Sequence, residues 1–156
     1  MITLYTGSKK PLVSAKEFRC IIRQRLPMAA LMGIELESIA WEGARLRAVY
    51  KKEFLRPGGT VSGPLMMGLA DAAMFAAVLA QIGPVELAVT TQLSINFLRK
   101  PAAEDLIADA RLLKLGKRLA VGEVTLYSVG ELEDAVAHVT TTYSIPPPDQ
   151  RSAANE

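Results

Sequence analysis

The sequence is poor in the residues that build disulfides and metal sites. Among 156 residues, Cys20 is the only cysteine and His138 is the only histidine. One cysteine excludes a disulfide within the chain and a cysteine-based metal cluster. One histidine excludes any site that needs two histidines from one chain. We therefore expect no metal site.

Charge and targeting signals are equally sparse. The net charge is +2, which is too small to indicate a nucleic-acid partner. Residues 1–5 lack the charged start, long apolar core and cleavage site of a signal peptide, so we expect a cytoplasmic protein. Half the residues are hydrophobic, and the length suits one domain with a substantial core.

One long apolar segment dominates the chain. From Leu65 to Ile82 every residue is apolar or glycine except Asp71 and Gln81. The segment is barely long enough to span a membrane, and the carboxylate at its centre argues against a span. It therefore predicts a helix that a sheet buries on nearly all sides, and no membrane partner.

The remaining patterns predict one helix before this segment and strands around it. Ser14 and Glu17 fit a capping box for a helix over 15–26, with a looser turn from Met28 to Gly33. Residues 34–41 and 44–52 predict a strand pair. Three or more long antiparallel strands follow, within 89–97, 106–112, 120–126 and 135–143. Strict alternation over 89–97 would place Val89 and Thr91 on the face of Leu93, with Thr90 on the other.

This order predicts an α+β fold, an antiparallel sheet wrapped around a long central helix. We expect an N-terminal segment with a short helix over 1–32, a main domain over 33–145 and a disordered tail over 146–156.

The start of the apolar helix is a candidate oxyanion site. Ser62 would be the N-cap, and Gly63 would offer a backbone N–H without a side chain to block approach. The carbonyl oxygen of a thioester gains charge on attack and needs such a donor. The alternative is an ordinary capped helix.

Asp71 is the candidate catalytic carboxylate, because a lone carboxylate in an apolar run must be paired or used. It lies about 12 Å along the helix axis from Gly63, since each helical residue rises 1.5 Å. If both act on one carbonyl, they must come from different subunits, which predicts a dimer with shared sites. The alternative is a buried Asp71 that caps a backbone or pairs with an arginine.

Two further interpretations concern charged and polar residues elsewhere. Basic residues at strand ends would bind the phosphates of a carrier such as coenzyme A if they cluster; the alternative is solvated strand ends. They are Arg99, Lys100, Lys114, Lys117 and Arg118. A serine hydrolase would have only Ser62 as nucleophile and His138 as base, and residues 59–63 do not form a G-x-S-x-G elbow.

Four segments together resemble a known family. They read Gly-Thr-Val-Ser-Gly-Pro at 59–64, Gly-Leu-Ala-Asp-Ala-Ala at 68–73, Ile-Asn-Phe-Leu-Arg-Lys-Pro-Ala at 95–102 and Gly-Lys-Arg-Leu-Ala at 116–120. Over about residues 33–143 the chain is similar to hotdog-fold acyl-CoA thioesterases of the phenylacetate-pathway (PaaI-like) type.

The resemblance implies a role for each matching residue. Asp71 would be general base or nucleophile, and the Gly63 N–H of the other subunit would polarise the thioester carbonyl. Thr90, or its neighbour Thr91, would place the attacking water. The coenzyme A phosphates would lie against Arg99, Lys100, Lys117 and Arg118.

The chain also departs from the family at two positions. Ser62-Gly63-Pro64 replaces the usual His-Gly-Gly, although Ser62 can still donate a hydrogen bond. Arg56 replaces a polar residue, often asparagine, and would weaken Asp71 as a base if it paired with it.

The resemblance thus implies acyl-CoA hydrolysis by a homodimer or homotetramer, with no cofactor except the coenzyme A of the substrate. One rival is a hotdog protein that binds acyl-CoA without hydrolysis. Another is a hydratase or dehydratase, which needs a histidine at the site. The sequence does not show which acyl group the substrate carries, or whether the protein is a dimer or a tetramer.

Overall fold

The computed structural model describes residues 7–151. Its helices are α1 (Ala15–Arg25), α2 (Pro27–Leu31) and α3 (Gly63–Ile82). Its strands are β1 (Ile34–Ala40), β2 (Gly43–Ala48), β3 (Leu55–Arg56), β4 (Thr60–Val61), β5 (Val89–Phe97), β6 (Leu106–Leu115), β7 (Leu119–Ser128) and β8 (Ala135–Ser144). Single 3-10 turns lie at Lys52–Phe54 and Pro148–Gln150.

Six strands form one antiparallel sheet in the order β1-β2-β6-β7-β8-β5, and β3 and β4 form a separate small hairpin. The helix α3 packs across the inner face of the large sheet and contacts all six of its strands. The predicted α+β fold, a sheet around a central helix, is confirmed.

The central helix is long and apolar enough to cross a membrane by length and composition, but 72% of its most apolar window is buried inside the protein. Buried side chains surround the helix axis, from Leu65 at its start to Ala80 near its end. The sheet therefore buries the apolar surface that α3 presents on nearly all sides. Gly83 ends it with φ 87°, a conformation that glycine adopts without strain.

The N-terminal segment packs two helices near the middle of α3, where Phe18 contacts Phe75 and Met32 lies beside Gly68. The capping box of α1 is confirmed, because the Ser14 side chain accepts from the Glu17 N–H while the Glu17 carboxylate accepts from the Ser14 N–H. The turn predicted after Met28 is instead the short helix α2. Pro27 occupies its first turn, where its missing N–H costs no hydrogen bond, so this proline starts a helix as well as ending one.

A β-bulge in β5 corrects the predicted alternation. Thr90 pairs with Tyr143 and Gln92 pairs with Thr142, so Thr91 is an extra residue with no partner of its own. Such an insertion shifts the alternation by one residue. Thr90 therefore shares the inner face with Leu93 and Ile95, and the prediction that it faces away is wrong.

The segment predicted as a disordered tail begins with the 3-10 turn at Pro148–Gln150. Arg151 follows it, and its Nε donates to the Pro146 carbonyl at 3.1 Å. The rest of this segment, 152–156, lies outside the described residues.

Gly122 on β7 lets α3 approach the sheet closely. A Cβ atom there would overlap the Met74 side chain and would lie 2.6 Å from the backbone oxygen of Arg111. A methionine side chain can move, but the carbonyl of the neighbouring strand cannot move without disturbing the sheet. A side chain at this position therefore overpacks the contact between helix and sheet.

We expect Gly122→Ala to lower the free energy of unfolding by about 1–3 kcal/mol, the usual range for overpacking. Thermal melting at fixed protein concentration measures it. Gly130→Ala is the matched control, because Gly130 is exposed and a Cβ there would meet only the Glu104 carboxylate. Equal melting temperatures for the two variants would contradict the proposed close contact.

Candidate active site

Asp71 lies on the middle of α3 with its carboxylate held at one oxygen. The Thr90 hydroxyl donates a hydrogen bond to Oδ1. The Tyr143 hydroxyl lies 2.8 Å from the same Oδ1 and 2.9 Å from the Asp71 carbonyl oxygen. No residue in the described part of the chain donates to Oδ2. The half-buried carboxylate therefore has one anchored oxygen and one free oxygen.

The sheet brings the two hydroxyl groups together. Thr90 and Tyr143 are direct cross-strand neighbours on β5 and β8. Directly opposed side chains on one face stand about 5 Å apart, which lets both reach one carboxylate oxygen. The rival position Thr91 is exposed and donates to the Thr142 carbonyl instead.

Tyr143 is the site residue that sequence reasoning missed. Its ring is buried and packs at 6.3 Å, centroid to centroid, on Phe75 of α3. Burial, and then the nearby Asp71 charge, raise the pKa of Tyr143 far above the ordinary value of tyrosine, so its hydroxyl stays protonated. A signal existed: alternation placed this tyrosine on the inner face, where a buried hydroxyl needs a partner.

Asp71 borders a cavity of about 550 Å³ between α3 and the N-terminal helices. Thr90 and Tyr143 also line this cavity. Most of the remaining wall is apolar and includes Leu26, Pro27, Met28, Met32, Phe75 and Val89. An ion pair between Arg25 and Glu86, 2.9 Å long, lies in the same wall. The Asp71 carboxylate therefore lies beside space that suits an apolar group.

The start of α3 borders a second cavity of about 430 Å³, together with Arg56, Phe97, Arg99 and Lys100. Ser62 is the N-cap as predicted, but its side chain makes no capping hydrogen bond. Its N–H donates to the Phe54 carbonyl. The Gly63 N–H has no acceptor among residues 7–151. The Phe97 ring lies so close to Gly63 that a Cβ would approach it to 3.2 Å.

A single chain does not bring the two predicted groups together. Gly63 and Asp71 lie about 12 Å apart along the axis of α3, given its rise per residue, and they border different cavities. Arg56 is exposed, lines the Gly63 cavity and forms no ion pair with Asp71 within the described chain. The expectation that Arg56 weakens Asp71 thus has no support within one subunit.

The basic residues form two separate groups rather than one cluster. Arg99 and Lys100 follow the end of β5, where Arg99 pairs with Asp134 at 3.0 Å. Lys117 and Arg118 lie at the turn between β6 and β7, level with the start of β5, because Leu119 and Val89 both pair with Ser144. The groups are thus about 30 Å apart, the length of a nine-residue strand.

His138 takes no part in either cavity. It lies on the outer face of β8, and its Nε2 contacts the Glu123 carboxylate at 3.0 Å. His138, and then Arg111, hold the pKa of Glu123 below its ordinary value. Because Ser62 lies at the inner helix and His138 on the outer face, the chain has no Ser–His dyad and no histidine beside Asp71.

Metal-ligand clusters are absent from the described region: residues 7–151 hold no group of three His, Cys, Asp or Glu side chains placed to bind an ion. The groups in the described region that could take part in a reaction are the anchored Asp71 carboxylate and the free Gly63 N–H, together with the apolar cavities beside them.

Comparisons with known proteins agree on one family. The sequence profile of the thioesterase superfamily matches residues 58–135, which include the start of α3 and Asp71. A candidate esterase of Halobacterium salinarum is 31% identical over 113 residues, which cover 69% of this chain and 74% of that protein.

Solved structures give the same result. The crystal structure of a candidate thioesterase from Silicibacter sp. is 42% identical, with a TM-score of 0.79 and coverage of 88% of this chain and 95% of that one. A mutant of the phenylacetic acid degradation protein PaaI from Thermus thermophilus is 26% identical, with a TM-score of 0.68 and coverage of 77% and 99%.

Proposed function

This chain belongs to the thioesterase superfamily, with the PaaI-like hotdog fold, and we propose that it hydrolyses acyl-CoA or aryl-CoA thioesters at sites shared between two subunits. The observation that carries the proposal is the Asp71 carboxylate, anchored at Oδ1 and free at Oδ2 beside an apolar cavity. Such a carboxylate is positioned to act on a bound acyl group.

The free oxygen of Asp71 has two possible roles in hydrolysis. As general base it removes a proton from water, whose oxygen attacks the thioester carbonyl carbon; the C–S bond then breaks and the leaving thiolate takes a proton. As nucleophile it attacks the carbonyl carbon itself, the C–S bond breaks and the leaving thiolate takes a proton, and water then hydrolyses the resulting anhydride. Both routes give a carboxylic acid and free coenzyme A.

The developing oxyanion needs a donor that Asp71 cannot supply. We assign this role to the Gly63 N–H, which has no acceptor among residues 7–151 and lies at the positive end of the α3 macrodipole. The Ser62 hydroxyl, unused as a cap, is a second donor at the same helix start. Pro64 contributes no N–H, so fewer donors are present than in a His-Gly-Gly sequence.

The exposed edge strand β5 supports a dimer that completes the site. It is a nine-residue strand at one edge of the sheet, and both Val89 and Phe97 are more than half exposed. A long unpaired edge invites pairing with a second copy. Antiparallel pairing of two β5 strands would place the Phe97 end, with its Gly63, beside the Thr90 end of the other subunit, with its Asp71.

The same arrangement would join the two groups of cations. Arg56, Arg99 and Lys100 of one subunit would lie near Lys117 and Arg118 of the partner subunit. Together they would bind the phosphates of coenzyme A, which makes the carrier part of the substrate and leaves no separate cofactor. Whether it is a dimer or a tetramer, we propose that the assembly acts in the cytoplasm and binds neither nucleic acid nor a membrane.

The alternative is a protein that binds acyl-CoA without hydrolysis. The observation that favours it is the replacement of His-Gly-Gly by Ser62-Gly63-Pro64, which removes donors from the oxyanion site. The Asp71 carboxylate, held at Oδ1 by two hydroxyl groups, favours hydrolysis instead.

Asp71→Asn tests the proposed function. We expect it to keep the fold and to lower kcat about 10²- to 10⁴-fold, the usual contribution of a general base. The measurement is thiol release from a panel of acyl- and aryl-CoA thioesters, with thermal melting of both proteins. Release unchanged by the substitution would remove Asp71 from the mechanism. Coenzyme A binding without release from any thioester would establish the binding protein.

Gly63→Pro tests the oxyanion donor. Proline lacks the N–H, is accepted at the first position of a helix, and follows an extended Ser62 at φ −72° and ψ 149°. Any Cβ at position 63 also precedes Pro64, which disfavours the helical conformation in both Gly63→Pro and Gly63→Ala. Gly63→Ala is the matched control, because it adds the same Cβ against Phe97 and keeps the N–H. We expect a loss of kcat of about 10²- to 10³-fold in Gly63→Pro alone.

Mixing these two inactive variants tests the shared site. A mixed dimer of Asp71→Asn and Gly63→Pro subunits would hold one site with Asp71 and Gly63 both intact. Random exchange of subunits should then restore about a quarter of the wild-type rate, since half of the dimers are mixed. No restoration after verified exchange would place both groups in one subunit.

Removing two basic side chains tests whether the protein binds the phosphates of coenzyme A. We expect Arg99→Ala with Lys100→Ala to raise KM about tenfold for coenzyme A thioesters and to weaken its salt dependence. KM for thioesters of the same acyl group on N-acetylcysteamine, which has no phosphate, should not change. Lys16→Ala on the exposed face of α1 is the control. Equal effects on both substrates would contradict phosphate binding.

A further inference from the structure

We infer that Tyr143 is a positioning residue of this site: together with Thr90 it fixes the Asp71 side chain through Oδ1, so that Oδ2 is the oxygen that reacts. The inference rests on the proposed function, because it assigns atoms within the proposed hydrolytic site.

Two hydroxyl donors meet at a single oxygen. Tyr143 lies 2.8 Å from Oδ1, and Thr90 donates to the same atom. A tyrosine hydroxyl has one proton, and a carboxylate is a stronger acceptor than the Asp71 carbonyl oxygen at 2.9 Å. The proton therefore belongs to Oδ1. Oδ2, without a donor in the described chain, is left for water or substrate.

The rest of the fold holds the Tyr143 hydroxyl in place. Its backbone is fixed between β5 and β7, because Tyr143 pairs with Thr90 on one side and Ala120 on the other. Its ring packs nearly parallel to Phe75, at an interplanar angle of 24°. Phe75 in turn contacts Phe18 of α1 at 6.0 Å. A column of three rings thus connects the N-terminal helix to the carboxylate.

Anchoring one oxygen limits rotation of the other. A free aspartate side chain turns readily about its last bond, and the torsional wells there are broad. Two hydrogen bonds to Oδ1 restrict that rotation, so Oδ2 keeps one orientation before substrate binds. Misplacement of a reacting atom by about 1 Å can lower a rate about 100-fold. The hydroxyl of Tyr143 therefore acts on turnover through Asp71, without touching substrate.

Tyr143→Phe tests the inference because it removes the hydroxyl and keeps the ring on Phe75. We expect kcat to fall about 10- to 100-fold while KM stays within about twofold, since positioning affects the reaction more than binding. Tyr127→Phe is the matched control: Tyr127 lies on the outer face of β7, and its hydroxyl has no partner in the described chain. It should keep the wild-type kcat.

Substitution of Thr90 provides the second arm if Tyr143→Phe folds poorly. Thr90→Val has nearly the same shape without the hydroxyl and should lose kcat in the same way. Thr90→Ser restores the hydroxyl and should recover most of the lost rate. A merely structural role of Thr90 predicts the reverse order, because serine lacks the methyl group that packs in the site.

The outcomes separate this inference from the proposed function. Wild-type release that disappears in Asp71→Asn supports the function, whatever Tyr143→Phe does. Unchanged kcat in a folded Tyr143→Phe, or in Thr90→Val where Tyr143→Phe does not fold, would overturn the inference alone. A raised KM with unchanged kcat would also overturn it, because the hydroxyl would then bind substrate. Wild-type protein without release from any thioester would overturn both.

Discussion

The structure depends on how one half-buried carboxylate is held in the middle of its central helix. Asp71 interrupts a helix whose other residues, except Gln81 near its end, are apolar or glycine, and an unpartnered charge there would be costly. The sheet provides two hydroxyl groups, from Thr90 and Tyr143, at one carboxylate oxygen. The bulge at Thr91 keeps Thr90 on the inner face. A local irregularity in β5 thus makes a charged residue tolerable inside α3.

That same helix separates the two halves of the candidate site. Its start carries the free Gly63 N–H and its middle carries Asp71, and a rigid helix cannot bring them closer. The edge strand β5 runs beside this interval, with Phe97 next to Gly63 and Thr90 next to Asp71. If a second copy of β5 paired antiparallel with the first, the Phe97 end of each strand would lie beside the Thr90 end of the other. The geometry of one helix and one edge strand therefore makes a shared site the simplest way to join both groups.

Sequence patterns predicted the features that depend on residues close together in the chain. The capping box at Ser14, the buried helix around Asp71 and the alternating strands all follow from short-range patterns, and the structure confirms them except at the bulge in β5. The partner of Asp71 did not follow, because Tyr143 lies far along the chain and reaches it only through the register of β8 with β5. The separation of Arg99 from Lys117 was missed for the same reason, because the order of the strands in the sheet decides which strand ends lie close together.

The departure from His-Gly-Gly affects one half of the site only. At the helix start, Pro64 removes a donor, and Ser62 leaves its hydroxyl unused as a cap. At the carboxylate, every hydrogen bond that orients Asp71 is present in the single chain. A half-buried carboxylate held by two hydroxyl groups beside an apolar cavity loses part of its hydration, a cost that an apolar residue there would not carry. A protein that only sequestered acyl-CoA would not need that carboxylate, so the cost favours the proposed hydrolysis, in which the Gly63 N–H would be the main donor to the oxyanion.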